Sequence, residues 1–154
     1  MSKYCGVKFD IDFQDQHDFS SAKTLQLSQE LPMDIQSKLY ISLVFLGKLD
    51  ITCDLHSTLV KSDVESFGDL YLDVSDALSE NRHYELACNL LSCLVASSTF
   101  SLAEVWLKYA HCLSAMNSIE EGIAAYRHVI ALVPTSQDAR ISLAELLTNQ
   151  GISF

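Results

Sequence analysis

Bulky and small side chains return along this chain at an interval of 35 residues, and that return dictates helical hairpins packed side by side. The unit is plainest from Ser101 onward. Val105, Trp106, Tyr109, Ala110, Leu113 and Met116 fall at three- and four-residue steps, the apolar stripe of an amphipathic helix. Ser101 and Glu104 have the spacing of a capping box at its start, and Asn117-Ser118 marks its end. Ser118 and Glu121 repeat the box. Ile119, Ile123, Tyr126, Ile130 and Val133 then carry a second helix to Pro134, whose ring cannot continue one. Two helices joined by so short a turn pack antiparallel.

Thirty-five residues upstream, Tyr71, Ser75, Leu78, Ala87 and Leu91 occupy the corresponding places. Ser62 and Glu65 offer a cap for the first helix of that copy, and Tyr84-Glu85 opens its second. Leu39, Leu43, Gly47 and Leu59 give a weaker copy further upstream. Downstream, Ser136 caps a helix in which Leu143, Ala144 and Leu147 repeat the pattern, and Gly151 falls where the turn between helices belongs. That last helix has no partner in the sequence, which leaves Leu143, Leu146 and Leu147 partly uncovered. The expectation is a piece of a longer array, the alternative being a short chain with a frayed last helix.

The fold class expected is therefore all-α, built from tandem antiparallel helix pairs. Residues 33–154 form the array, with repeats near 33–67, 68–102 and 103–136 and a partial one over 137–154. Residues 1–32 do not carry the pattern and read as an acidic arm, poorly ordered or extended. Val7 to Phe13 alternates apolar and polar as a strand or docking segment does, but a lone strand has no partner in a helical chain. Ser21 to Leu31 reads as a helix broken at Pro32.

The order Trp106-x2-Tyr109-Ala110-x2-Leu113, then Gly122, Tyr126 and Pro134, resembles the tetratricopeptide repeat. In that pattern Trp106, Leu113 and Tyr126 are wedges, while Ala110 and Gly122 are small where two helices approach closely. The resemblance implies a right-handed superhelical solenoid whose first helices line a concave binding face. Polar residues on those helices are then the candidate partner-binding set: Asp69, Asp73, Asp76, Glu104, Lys108, His111, Asp138 and Glu145. They are mostly acidic and suit a Lys- or Arg-rich partner segment; the plain alternative is a solvated helix surface. Tetratricopeptide co-chaperones that grip acidic tails place Lys, Arg and Asn there, so a tail clamp of that kind is disfavoured.

Charge points the same way. Twenty acidic side chains against ten basic ones give a net charge of −10, and no basic patch offsets it. Direct nucleic-acid contact is disfavoured, because phosphate binding depends on Lys and Arg displacing condensed counterions. The longest apolar runs, Tyr40 to Leu46 and Leu90 to Val95, fall far short of the roughly 18 residues of a membrane span. The first residues lack the apolar core of a secretory signal, and five cysteines without regular spacing do not suggest a disulfide framework.

No residue pattern here predicts an enzyme, a cofactor or a small-molecule substrate. Cys88 and Cys93 are turned roughly 140° apart by helical geometry and cannot clamp one metal. Together with Cys112 they read as core thiols. His111 and Cys112 are sequence neighbours that face different sides of a helix. His17, His56, His83 and His128 have no ligand spacing to Glu or Cys, and the five glycines are scattered.

Three runs carry a narrower likeness: residues 68–78 (Gly68 to Leu78), Val105 to Leu113, and Asp138-Ala139-Arg140-Ile141-Ser142-Leu143. Over residues 33–151 the chain resembles the tetratricopeptide-repeat subunits of transcription factor IIIC. That resemblance implies a nuclear scaffold in RNA polymerase III transcription, contacting other subunits of the complex and components of transcription factor IIIB. The repeat alone implies less: an adaptor in some other assembly, such as a ubiquitin ligase, transport or RNA-processing complex.

Overall fold

The computed structural model describes residues 7–10, 24–27 and 31–151. Its contacts divide into two compact units, Met1–Ser62 and Asp63–Phe154. Seven helices lie among the described residues, and the helical class expected from the sequence holds.

In the first unit β1 (Val7–Asp10) pairs antiparallel with β2 (Thr24–Leu27), Val7 opposite Leu27 and Phe9 opposite Leu25. This corrects two expectations. The strand at Val7 has a partner, and the partner lies inside the stretch read as a helix over Ser21–Leu31. Thr24-Leu25-Gln26-Leu27 also alternates with a period of two, and the ladder supplies backbone partners that a lone strand lacks. Residues 1–6, 11–23 and 28–30, which include most of the proposed arm, lie outside the described residues.

After Pro32, whose carbonyl accepts from the Ile35 and Gln36 amides at 3.1 Å, the chain enters α1 (Met33–Phe45). A 3₁₀ turn (Leu49–Ile51) leads to α2 (Cys53–Lys61). Tyr40, Leu43 and Val44 of α1 and Leu55 and Leu59 of α2 are buried, and the Tyr40 hydroxyl meets His56 Nδ1 at 2.8 Å.

The second unit consists of α3 (Val64–Glu80), α4 (Tyr84–Ala96), α5 (Ala103–Ala115), α6 (Ile119–Leu132) and α7 (Gln137–Asn149). Each packs on the next along the chain. Most of the wedge and filler positions are buried: Tyr71, Ser75, Leu78, Ala87, Leu91, Ala110, Leu113 and Tyr126. Trp106 is half-buried against the same cluster as Tyr126. Pro134 is exposed two residues beyond the end of α6, where a stop is needed. A Cβ on buried Gly122 would lie 3.1 Å from Ser114 Oγ and 3.3 Å from Leu146 Cδ2, so α5 and α7 both crowd this point of α6.

The repeat is also written in the backbone. Gly47, Arg82, Asn117 and Gly151 have φ of 72°, 63°, 63° and 74°. They are spaced 35, 35 and 34 residues apart, and each follows the end of α1, α3, α5 or α7. At the first three sites the left-handed residue donates back to Val44, Ser79 or Ser114, and the residue after it donates to Leu43, Leu78 or Leu113. This is the Schellman stop, which satisfies the last carbonyls of a helix. The leucine that accepts the longer bond is buried each time, so one residue both closes the helix and fills the core.

Three of the four capping expectations fail. The N-cap position is Asp63 for α3 and Leu102 for α5, one residue after the serines expected to cap them. Ser62 Oγ donates to the Leu59 carbonyl at 2.6 Å, and Ser101 Oγ accepts from the Trp106 indole at 3.0 Å. Ser118 does stand at the start of α6 but makes no capping bond with its side chain. Ser136 caps α7, accepting from the Ala139 amide at 3.4 Å.

Candidate functional site

The predicted partner-binding residues fall on α3, α5 and α7, the first helices of the second unit's hairpins. Measured back from the left-handed residue of each turn they form rows. Asp69, Glu104 and Asp138 each precede it by 13 residues, and Asp34 in α1 keeps the same offset from Gly47. Asp76, His111 and Glu145 each precede it by six, while Asp73 and Lys108 precede it by nine.

The first row has a structural reason to be acidic. Asp34, Glu104 and Asp138 are second residues of their helices. Asp69 stands in the same relation to α3 proper, because Phe67 (φ −120°, ψ 16°) breaks the helix just before Gly68. A carboxylate there faces the unpaired amides and the positive end of the helix dipole. All four are exposed, and so are Asp73 and Glu145.

Asp76 and Lys108 are not free. Lys108 Nζ sits 2.7 Å from both carboxylate oxygens of Asp76, joining α3 to α5. The pair is part-exposed. Sequence reasoning placed both residues on the face but counted them as separate charges; what it missed is that one cancels the other.

His111 lies over Tyr126, with ring centroids 5.6 Å apart. The side chain is exposed as a whole, yet partial desolvation of the ring lowers its pKa below the usual 6.5, and Asp138 acts in the opposite sense. Tyr126 is itself buried, which raises its phenol pKa, with Ser114 and Ser142 hydroxyls as partners. Desolvation thus disfavours the charged form of both rings where they meet.

Of the three cysteines read as core thiols, Cys112 and Cys88 lie on the core and Cys93 is only half-buried. Cys112 is buried, with Sγ 3.4 Å from Ser79 Oγ, and Cys88 is half-buried on the core. Burial pushes the Cys88 thiol up to about 11 and raises Cys112, so neither is readily a thiolate. Cys93 Sγ donates to the Asn89 carbonyl at 3.4 Å. Among the described residues no group of three or more His, Cys, Asp or Glu is placed to hold a metal, and no helix is long and apolar enough to cross a membrane.

Two contacts had no local signal in the sequence. His128 of α6 packs against Trp106 with centroids 4.2 Å apart and the rings tilted by 49°, and Glu65 reaches the turn between α4 and α5, 33 residues away. Both join residues whose proximity exists only after the hairpins have folded.

No protein-family model matches the sequence. Over 128 residues the chain is 41% identical to human General transcription factor 3C polypeptide 3, which covers 83% of this chain and 14% of that protein. Over 119 residues it is 24% identical to the transcription factor tau 131 kDa subunit of Saccharomyces cerevisiae, covering 77% of this chain and 12% of that one. The chain therefore spans about one-seventh of the human relative's length.

Proposed function

We propose, from the premise that this chain is transcription factor IIIC subunit-like, that it is a protein-binding scaffold within a transcription factor IIIC complex of RNA polymerase III transcription. The observation that carries the reading is that both similar proteins, human and yeast, are subunits of transcription factors and share the larger part of this chain. The helical hairpins supply the means: rigid first helices present side chains at a fixed repeat, as scaffolds do. Its partners are other subunits of that complex and components of transcription factor IIIB, and its place is the nucleus. Partner contact is made by protein, with no nucleic acid, small molecule, cofactor or catalytic step assigned to this segment.

The exposed acids of the first helices, Asp69 and Asp73 on α3, Glu104 on α5, Asp138 and Glu145 on α7, hold a Lys- or Arg-rich segment of the partner, with His111 among them. Asp76 and Lys108 belong to the internal pair and contribute little net charge. The test is affinity capture of the tagged chain from nuclear extract. Other subunits of the complex are expected among the captured proteins, and their recovery should fall when Asp69 and Asp73 are both changed to Lys. Recovery of chaperones alone would overturn the scaffold reading; recovery of the complex unchanged by the reversal would overturn the acidic face.

A further inference from the structure

The turn between α4 and α5 carries four hydroxyls in five residues, Ser97, Ser98, Thr99 and Ser101 around Phe100. They do not do the same work. Ser97 Oγ accepts from the Phe100 amide at 2.9 Å, and Ser101 Oγ accepts from the Trp106 indole. Ser98 instead donates both its amide, at 2.9 Å, and its hydroxyl, at 3.1 Å, to one carboxylate oxygen of Glu65. The Thr99 hydroxyl is the largest influence on the same carboxylate, and with the Ser98 amide and hydroxyl and the Thr99 amide it holds Glu65 below the usual carboxylate range. Ser98, Thr99 and Glu65 are all exposed.

The clasp has a mechanical partner. Beside it the Phe100 ring fills the space where a Cβ on buried Gly68 would stand. Glu65 lies in the single turn that precedes the break at Phe67, and Gly68 begins the straight part of α3. One side of the turn is therefore held by a carboxylate and the other by an aromatic ring. Only the carboxylate half responds to charge.

We propose that Ser98 is a regulatory phosphorylation site whose modification opens this clasp. A kinase transfers the γ-phosphoryl group of ATP to Ser98 Oγ; the Oγ–P bond forms as the bond to ADP breaks, and the hydroxyl proton passes to the kinase's base. The hydroxyl donor is lost, and a phosphate of nearly two negative charges then confronts the Glu65 carboxylate at contact distance. Like charges cannot share the donors of this turn, so one leaves. Because the phosphate is covalently part of the turn, Glu65 is displaced and the first turn of α3 loses its tether. Ser97 and Ser101 are poorer targets, since their oxygens already hold the turn and the indole.

The experiment uses the full chain with phosphoserine placed at position 98 by recoding, compared with the unmodified chain by amide hydrogen exchange in nuclear magnetic resonance. Exchange of the Ser98 amide is expected to accelerate at least tenfold, as it should in unmodified Glu65→Ala, which lacks the acceptor, and phosphorylating the Glu65→Ala chain should add little further. Unchanged protection on phosphorylation, or an equally large further acceleration when the Glu65→Ala chain is phosphorylated, would overturn the clasp. In parallel, the chain is isolated from its own cells with phosphatases inhibited, and the tryptic peptide of residues 83–108 is sequenced by mass spectrometry. Phosphate on Ser98 supports the assignment. A peptide with no phosphate, or with phosphate on Thr99 or Ser101 alone, rejects it.

Discussion

Asp76 on α3 grips Lys108 on α5 through both carboxylate oxygens, across two hairpins that are 32 residues apart in sequence. The geometry is close, but the side chains keep 48% and 32% of their surface in water. Water and salt therefore screen most of the attraction. A double-mutant cycle with Asp76→Ala and Lys108→Ala should give a coupling of about 0.5 kcal/mol at low salt, falling toward zero in 1 M salt. A coupling of several kcal/mol would mean that the pair is drier than its exposure indicates.

Gly68 is a packing residue more than a flexible one. Alanine there would normally help a helix by about 1 kcal/mol. Here the added Cβ would run into the Phe100 ring, which must move out. Gly68→Ala is expected to destabilise the second unit by about 1–3 kcal/mol, as overpacking does. In the Phe100→Ala background the same change should cost nothing or stabilise slightly. Chemical denaturation of the four variants measures the reversal of sign.

Much of this was legible in the sequence because repetition averages out local ambiguity. Leu78 and Leu113 sit 35 residues apart and are both buried, so the period alone located the core. The turns were legible in part: Gly47 and Gly151 announce a left-handed residue, while Arg82 and Asn117 adopt the same conformation with less signal. The capping boxes misled because a serine's hydroxyl can bond a preceding carbonyl or an indole as readily as an amide in the next turn. Ser62 and Ser101 did so. The β1–β2 pair was missed because strand partners 14 or more residues apart leave no periodic mark. On the candidate face the residue types were readable; the Asp76–Lys108 cancellation and the contact of His128 with Trp106 depend on how neighbouring helices meet.

The turn residues make opposite predictions from one shared conformation. An L-residue in the left-handed region costs roughly 1–2 kcal/mol, and glycine escapes that cost while losing more freedom on folding. Arg82→Gly should therefore stabilise by about 0.5 kcal/mol once both effects are counted. Gly47→Ala has open space around its Cβ, so its expected loss of about 1 kcal/mol is strain alone. Thermal unfolding of the two variants checks the signs. A destabilised Arg82→Gly would show that the guanidinium makes a contact worth more than the strain it imposes.

His111 sets a pH dependence whose sign follows from its surroundings. Its folded-state pKa lies below 6.5, chiefly because the ring is partly buried on Tyr126, although Asp138 opposes the shift. The unfolded chain then binds a proton more readily than the folded one as pH falls below neutrality. Stability is expected to drop as pH falls through 6.5 and to level off once the folded-state imidazole is also protonated. His111→Gln removes the titration while keeping a polar side chain at this place on α5, so the difference in unfolding free energy between variant and parent should change with pH over that window alone. Carboxylates protonate lower and act on both chains alike, which is why the difference is the informative quantity. A difference flat from pH 7.5 to 5 would mean that Asp138 offsets burial completely, and that the imidazole is as easily charged in the folded chain as in the unfolded one.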